Sequence, residues 1–258
     1  MKFAIRFMVL TSLLLGGGGQ ALSVDFSAEV VQSAPDKAPQ ISRLYMGEGR
    51  MRTEYEMNGQ PIVQIVDTNQ QTMIMLFPEQ QAYMQQSAAA GGMPRPSGDT
   101  GPGADPCAGM PGMTCKKLAT EDVNGRPAEK WEITQSQDDQ DMKLLSWIDA
   151  EHRFPVRQIM PDGTIMELKN TGSDTIGGRA TEKWEMTASS PDGKKIQASQ
   201  WYDTQLGMVI RELHEGGFSR EFRDIKVGSQ PADLFSIPPG YKMMSMPAQG
   251  EEMPGDAR

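Results

Sequence analysis

A duplication inside the chain constrains its fold more than any other feature. The decapeptide running from Gly125 to Thr134 recurs between Gly178 and Thr187 at an offset of 53, with seven of its ten positions identical. With one inserted residue the match continues through Trp147 and Trp201, Asp149 and Asp203, Arg157 and Arg211, Gly163 and Gly217, Glu167 and Glu221, and Leu168 and Phe222. Two tandem copies of one pattern must fold alike, and such repeats bury their apolar faces against their neighbours.

Within each copy the pattern is that of antiparallel strands. The first copy divides into strands at 128–135, 142–149, 154–160 and 164–170, joined by Asp-Gly and Gly-rich turns, which makes a meander. Trp131 and Ile133, and in the second copy Trp184, Met186 and Ala188, alternate with Lys130 and Glu132 or Lys183 and Glu185, so one face is apolar and the other charged. Arg157 and Arg211 are placed to meet Glu167 and Glu221 across neighbouring strands.

Ahead of the duplication, β-favouring segments at 26–32, 41–46, 50–57, 62–67, 72–77 and 82–86 alternate with turn residues, and Asn58-Gly59 is a strong hairpin signal. Ile65-Val66-Asp67 followed by 72–76 repeats the strand, Asp-turn, strand order of the duplicated unit in degenerate form. Residues 87–116 shift to Ala, Gly, Pro, Met and Ser with no apolar period, the signature of a disordered insertion. Pro231 and the 232–235 run predict one helical turn, and 242–258 reads as a disordered tail. The expected fold class is therefore all-β, an antiparallel and strongly curved sheet of about ten or more strands with one or two short helices, forming a single domain over 22–241.

Lys2 and Arg6 precede an apolar run at 7–15 that is too short to span a bilayer, and small residues lead up to Ala21. This layout predicts a signal peptide over 1–21, export to the periplasm, and no lipid anchor, since no cysteine follows the expected cleavage point. The formal charge of −9, less the two cations Lys2 and Arg6, gives −11 for the expected mature chain. Such a surface repels phosphate backbones, so nucleic acid is excluded as a partner, and no later apolar run reaches the length of a membrane span.

Three stretches carry a family resemblance: Trp201-Tyr202-Asp203, Gly207-Met208-Val209-Ile210-Arg211 with Phe222-Arg223-Asp224-Ile225, and Leu234-Phe235-Ser236-Ile237-Pro238-Pro239-Gly240-Tyr241. Together they resemble the periplasmic lipoprotein carrier (LolA-like) superfamily, closest to its uncharacterised exported relatives, over residues 120–241. The resemblance implies an incomplete β-barrel whose concave side, lidded by helices or loops, holds acyl chains of lipoproteins or lipids. The chain departs from the carrier pattern in its long insertion and in lacking a long amphipathic helix.

Trp131, Ile133, Leu168, Trp184, Met186 and Phe222 are the candidate walls of an apolar ligand cavity, and the same residues would equally serve as a packed core. Twenty methionines suit a soft lining for variable apolar ligands. Cys107 and Cys115 are spaced to form a disulfide within the insertion, while Cys107, Met110, Met113 and Cys115 together offer a soft set for Cu(I). His152 and His214 fall at non-equivalent repeat positions and outside any catalytic motif, and both read as solvated. Asp138, Asp139 and Asp141 lack the glycine and distal glutamate of a calcium loop. The sequence thus points to a non-enzymatic protein without a cofactor. It either binds an acyl chain or other lipid, or acts as a structural interaction module for an envelope protein partner, with copper handling as a third reading.

Overall fold

The computed structural model describes residues 24–87, 103–108, 110, 112–137 and 140–244. The predicted signal peptide, most of the predicted insertion, Asp138 and Asp139, and the tail from 245 onward lie outside the described residues. Among the described residues, sixteen strands build one sheet. The first six are β1 (Phe26–Ser33), β2 (Gln40–Gly47), β3 (Arg50–Met57), β4 (Gln60–Asp67), β5 (Thr72–Phe77) and β6 (Ala82–Ser87). The duplicated region supplies β7 (Met113–Val123), β8 (Arg126–Gln137), β9 (Gln140–Asp149), β10 (Pro155–Ile159), β11 (Ile165–Ile176), β12 (Arg179–Ser189), β13 (Lys195–Asp203), β14 (Met208–His214) and β15 (Ser219–Val227), and β16 (Lys242–Met243) closes the chain. Short 3-10 turns occupy Pro78–Gln80 and the predicted position Ala232–Phe235.

The strand order, β16-β6-β5-β4-β3-β2-β1-β15-β14-β13-β12-β11-β10-β9-β8-β7, describes two meanders joined by antiparallel pairing of β1 with β15. The sheet is open, with β7 and β16 at its edges. Sharp turns set the register. Asn58 and Gly59 both take positive φ, as do Gly177 and Gly178, which is the two-residue geometry that matches strand twist. The predicted cross-strand pairs form: Arg157 stands opposite Glu167 and Arg211 opposite Glu221, each at 3.5 Å.

The duplication is explained by two devices present in both copies. The first is a clamp. In copy one the Arg126 guanidinium, at the start of β8, donates from Nε to Asp149 Oδ2 (2.6 Å) and from Nη2 to Oδ1 (3.1 Å), at the end of β9. The same Asp149 Oδ1 accepts the backbone N–H groups of Glu151 and His152 at 3.0 and 2.8 Å, folding the turn that follows. In copy two Arg179 Nε donates to Asp203 Oδ2, and Asp203 Oδ1 accepts from Gln205 and Leu206, both at 2.9 Å. The second device is a tryptophan between cations. Trp147 lies between Lys130 (4.8 Å) and Arg157 (5.0 Å) and donates its indole N–H to Glu121 Oε2 at 2.7 Å. Trp201 lies between Lys183 (5.5 Å) and Arg211 (4.9 Å) and donates to Asp174 Oδ2 at 2.8 Å. The charged face expected from strand alternation is thus also where two buried indoles sit.

The degenerate third unit keeps only part of this. Asp67 Oδ1 accepts the Gln70 N–H at 2.8 Å, but Arg50 pairs with Glu48 instead of closing on Asp67.

Three apolar clusters follow one another along the sheet. Val123, Ala128, Trp147, Phe154, Val156, Leu168 and Trp184 form one. Ile176, Trp201, Leu206, Ile210 and Phe222, the repeat counterparts of several of these, join Phe26, Ala28, Val30, Leu44 and Met46 in the next. In the third, Phe235 packs on Val63, Ile65 and Leu76, while Arg52 Nη1 holds the Leu234 carbonyl at 2.7 Å. The C-terminal segment resembling the carrier family is therefore a clip across β3–β5.

Asp149 and Asp203 are 0% and 1% exposed, so removing either leaves an arginine and two turn amides unpaired. We expect Asp203→Ala and Asp149→Ala each to cost about 3–5 kcal/mol in urea denaturation. Asp67→Ala, with one turn amide at stake and no arginine clamp, should cost about 1 kcal/mol.

Candidate functional site

The turn that follows each clamp delivers two residues to the same place. Phe154 and Pro155 of copy one are the counterparts of Met208 and Val209 of copy two, and all four line a single cleft with Leu168, Trp184, Gln200 and Tyr202. The space it encloses is about 20 Å³, room for one water-sized molecule, at the base of a groove open to solvent. It sits at the junction of the copies, walled by β10 to β14.

Of the six predicted wall residues, Leu168 and Trp184 line this cleft, and Met186 packs half-buried against their cluster. Phe222 is buried one cluster away, where it pairs across the sheet with Val30. Trp131 and Trp184 occupy equivalent rungs, opposite Lys117 and Ser146 in one copy and Asn170 and Gln200 in the other. Ile133 is half-buried opposite Leu144 and Cys115. The Trp184 indole N–H donates to Glu182 Oε2 at 3.1 Å. The Trp131 indole N–H is buried with no partner among the described residues. Its equivalent acceptor, Glu129, is held instead by Lys117 (2.5 Å) and Arg153 (2.8 Å).

His152 is buried, not solvated as its turn position predicts: its side chain is 6% exposed. Its ring makes edge contacts with Phe154, Trp184 and Tyr202 at centroid distances of 5.4, 5.7 and 5.2 Å. Nε2 lies 3.0 Å from Glu182 Oε2 and Nδ1 lies 3.3 Å from Asp149 Oδ1, so the imidazole ties the clamp of copy one to β12 of copy two. The Asp149 hydrogen bond raises its pKa, burial opposes this, and the Glu182 and Asp149 charges reinforce the rise while nearby Arg126 works against it. Burial would push Asp149 up, but the His152 and Arg126 hydrogen bonds win and hold it below the usual carboxylate range. Burial raises the Tyr202 phenol, helped by the Glu182 and Asp203 carboxylates. The sequence signal for the clamp was present, since Arg126 and Arg179 stand in the duplicated decapeptide. Nothing in one dimension marks His152 as buried.

Cys107 and Cys115 form the predicted disulfide, with Cα atoms 5.6 Å apart. Cys115 lies in β7, so the bridge ties the end of the insertion to the sheet edge. In this state neither sulfur is a thiolate, the form that binds metal, so the Cu(I) set of Cys107, Met110, Met113 and Cys115 requires prior reduction. Asp149, Glu151 and His152 also lie close enough together for one ion, but both Asp149 oxygens are engaged by Arg126 and backbone N–H groups. Asp141 accepts from the Ser136 hydroxyl at 2.7 Å, an ordinary turn contact. His214 lies against Phe218, apart from the cleft.

No family model and no curated protein matches the chain. Among solved structures it is similar to the LolA superfamily protein NE2245 from Nitrosomonas europaea, at 13% identity and a TM-score of 0.37, covering 83% of this chain and 90% of that one. It is similar to a putative outer membrane lipoprotein-sorting protein domain from Vibrio parahaemolyticus at 14% identity and a TM-score of 0.37, covering 83% and 89%. It is also similar to the Pseudomonas aeruginosa MucA/MucB complex at 12% identity and a TM-score of 0.33, covering 86% of this chain and 59% of that one. At these scores all three are likenesses only, and the fold and cleft stand on the chain's own geometry.

The raised pKa of His152 makes its contribution to stability fully present below its ordinary value of 6.5 and lost as pH rises through the folded-state value. Wild-type denaturation midpoints should therefore fall as pH rises above the ordinary value of 6.5. In His152→Leu, which carries the residue found at the counterpart Leu206, that slope should flatten.

Proposed function

We propose that the protein is an exported binding or carrier protein that holds an acyl chain or other apolar ligand in the cleft between its two repeat copies. The observation that carries this reading is the cleft itself. Six of its eight lining residues, Phe154, Pro155, Leu168, Trp184, Met208 and Val209, are apolar, and it opens to solvent. Burial there would supply affinity at roughly 25 cal/mol per Å² of apolar surface. The disulfide supports an oxidising compartment, in keeping with the predicted signal peptide. No helix among the described residues is long and apolar enough to cross a membrane.

The alternative, an interaction module for an envelope protein, draws on β7. This edge strand has a strand partner on one side only, and its bulge presents Leu118, 44% exposed. Lys116 and Lys117 on the same strand are the kind of residues that guard an edge against indiscriminate pairing.

Mass spectrometry of organic extracts from gently purified protein should show a co-purifying lipid, and a fluorescent fatty acid should bind with better than millimolar affinity. Met208→Asp should weaken that binding at least about tenfold, whereas Met243→Asp, far out on the β16 edge, should not. If neither lipid nor probe binds, the cleft reading fails and the interaction reading remains.

A further inference from the structure

The two copies can be compared wall by wall. On β7 Cys115 stands opposite Ile133 as Leu168 stands opposite Met186 on β11, and each strand bulges just beyond. Trp131 meets Ser146 as Trp184 meets Gln200, and Ile148 meets Glu129 as Tyr202 meets Glu182. Copy one therefore repeats four walls of the cleft, Leu168, Trp184, Gln200 and Tyr202, as Cys115, Trp131, Ser146 and Ile148. In copy two those walls border a groove open to solvent. In copy one a strap, residues 103–108, takes its place.

The strap is fastened at both ends. Arg153 Nη2 donates to the Ala104 carbonyl at 3.2 Å while its Nη1 donates to Glu129 Oε2 at 2.8 Å, and a Cβ placed on Gly103 would lie 3.9 Å from Glu129 Oε1. At the other end the disulfide joins Cys107 to Cys115, opposite Ile133. Glu129 and Ile133 flank Trp131 on one face of β8, so a segment held beside the first and opposite the second crosses Trp131. Trp131 is accordingly buried although β8 lies only one strand from the sheet edge, and Ala104 and Cys107 are buried with it. Both fasteners depart from copy two, which has Gly207 where Arg153 stands and Leu168 where Cys115 stands.

The closed strap leaves one donor unsatisfied. Trp147, Trp184 and Trp201 each donate their indole N–H to a carboxylate, whereas that of Trp131 is buried without a partner among the described residues. A buried unpaired donor works against the closed state, and the disulfide holds it shut. Resting on the cleft reading, we infer that copy one contains a second site for the same class of apolar ligand, walled by Trp131, Ile133 and Ile148, which the chain's own residues 103–108 occupy in the disulfide form. It opens by thiol–disulfide exchange with an external dithiol. A thiolate of the dithiol attacks one sulfur, the S–S bond breaks, and Cys107 and Cys115 take up two electrons and two protons while the dithiol leaves as a disulfide. Cys115, half-buried on the edge strand, is the more accessible sulfur.

The test titrates dansyl-labelled undecanoic acid into the full mature chain and follows acrylamide quenching of tryptophan emission in parallel. All four tryptophans are buried in the closed form. The oxidised wild type should bind one probe per chain and resist quenching. Treated with dithiothreitol, which has no other cysteines to act on, it should bind two, and one tryptophan should become quenchable. The double variant Cys107→Ser, Cys115→Ser should do the same without reductant, and Trp131→Phe should remove the new quenching signal. One probe per chain in every form, two in the oxidised form, or a second probe bound while Trp131 stays shielded would overturn the inference and leave the junction cleft standing. No probe in the oxidised form but one after reduction would remove the junction cleft and keep the site under the strap. No probe in any form would remove both.

Discussion

Each repeat copy is organised around one carboxylate that water does not reach. A buried Asp is tolerable only when its charge is compensated. Asp149 and Asp203 achieve this in the same way, with an arginine from the start of one strand and two amides from the turn beyond the next, and Asp149 has the His152 ring as well. This arrangement fixes the strand ends and the turn together. Because the residues leaving those turns are Phe154 with Pro155 and Met208 with Val209, the pairing that holds the repeat closed also sets the rim of the cleft. Stability and site geometry are therefore not separable here.

Where the copies diverge, each change has an identifiable contact. Arg153 holds a left-handed backbone at φ +60 where its counterpart is Gly207 at φ +69, a conformation that costs a non-glycine residue roughly 1 kcal/mol. In exchange its guanidinium reaches Glu129 and the Ala104 carbonyl at 3.2 Å, fastening the end of the insertion to copy one. Glu129 is thereby drawn from Trp131, while its counterpart Glu182 stays beside Trp184 and takes His152 as well. Copy one has been adapted to hold the insertion, and copy two to hold the junction and its cleft.

Much of this was legible in one dimension because β-meanders are local. Strand extents, the Asn58-Gly59 turn, the Arg157–Glu167 and Arg211–Glu221 pairs, the turn at Ala232–Phe235 and the disulfide all follow from alternation, turn chemistry and repeat offset. Long-range features were not legible in the same way. The pairing of β1 with β15 joins segments nearly two hundred residues apart, and no local pattern encodes it. The clamp partners were visible as matched residues, but not as partners, since 23 or 24 positions separate each Arg from its Asp. The burial of His152 depends on Trp184 and Tyr202 arriving from the other copy. For the same reason the wall residues divided: Leu168 and Trp184 meet at the junction, while Phe222, the exact repeat counterpart of Leu168, faces the packed neighbour β1 and is covered.

That last difference explains why a cleft exists at only one of two equivalent places. Around Phe222 the position corresponding to the Trp184 wall is filled by β1, whose Phe26, Ala28 and Val30 pack with Leu44 and Met46 into a closed cluster. Around Leu168 the neighbouring strand is β12, and Trp184 is drawn toward Glu182 and His152 by its indole N–H and ring edge, which leaves the space beside Gln200 unfilled. A hydrogen-bonded aromatic cannot collapse into that space as an aliphatic side chain would. The His152–Glu182–Trp184 contact is thus what keeps the junction open, and the same duplicated sheet yields a core on one side and a cleft on the other.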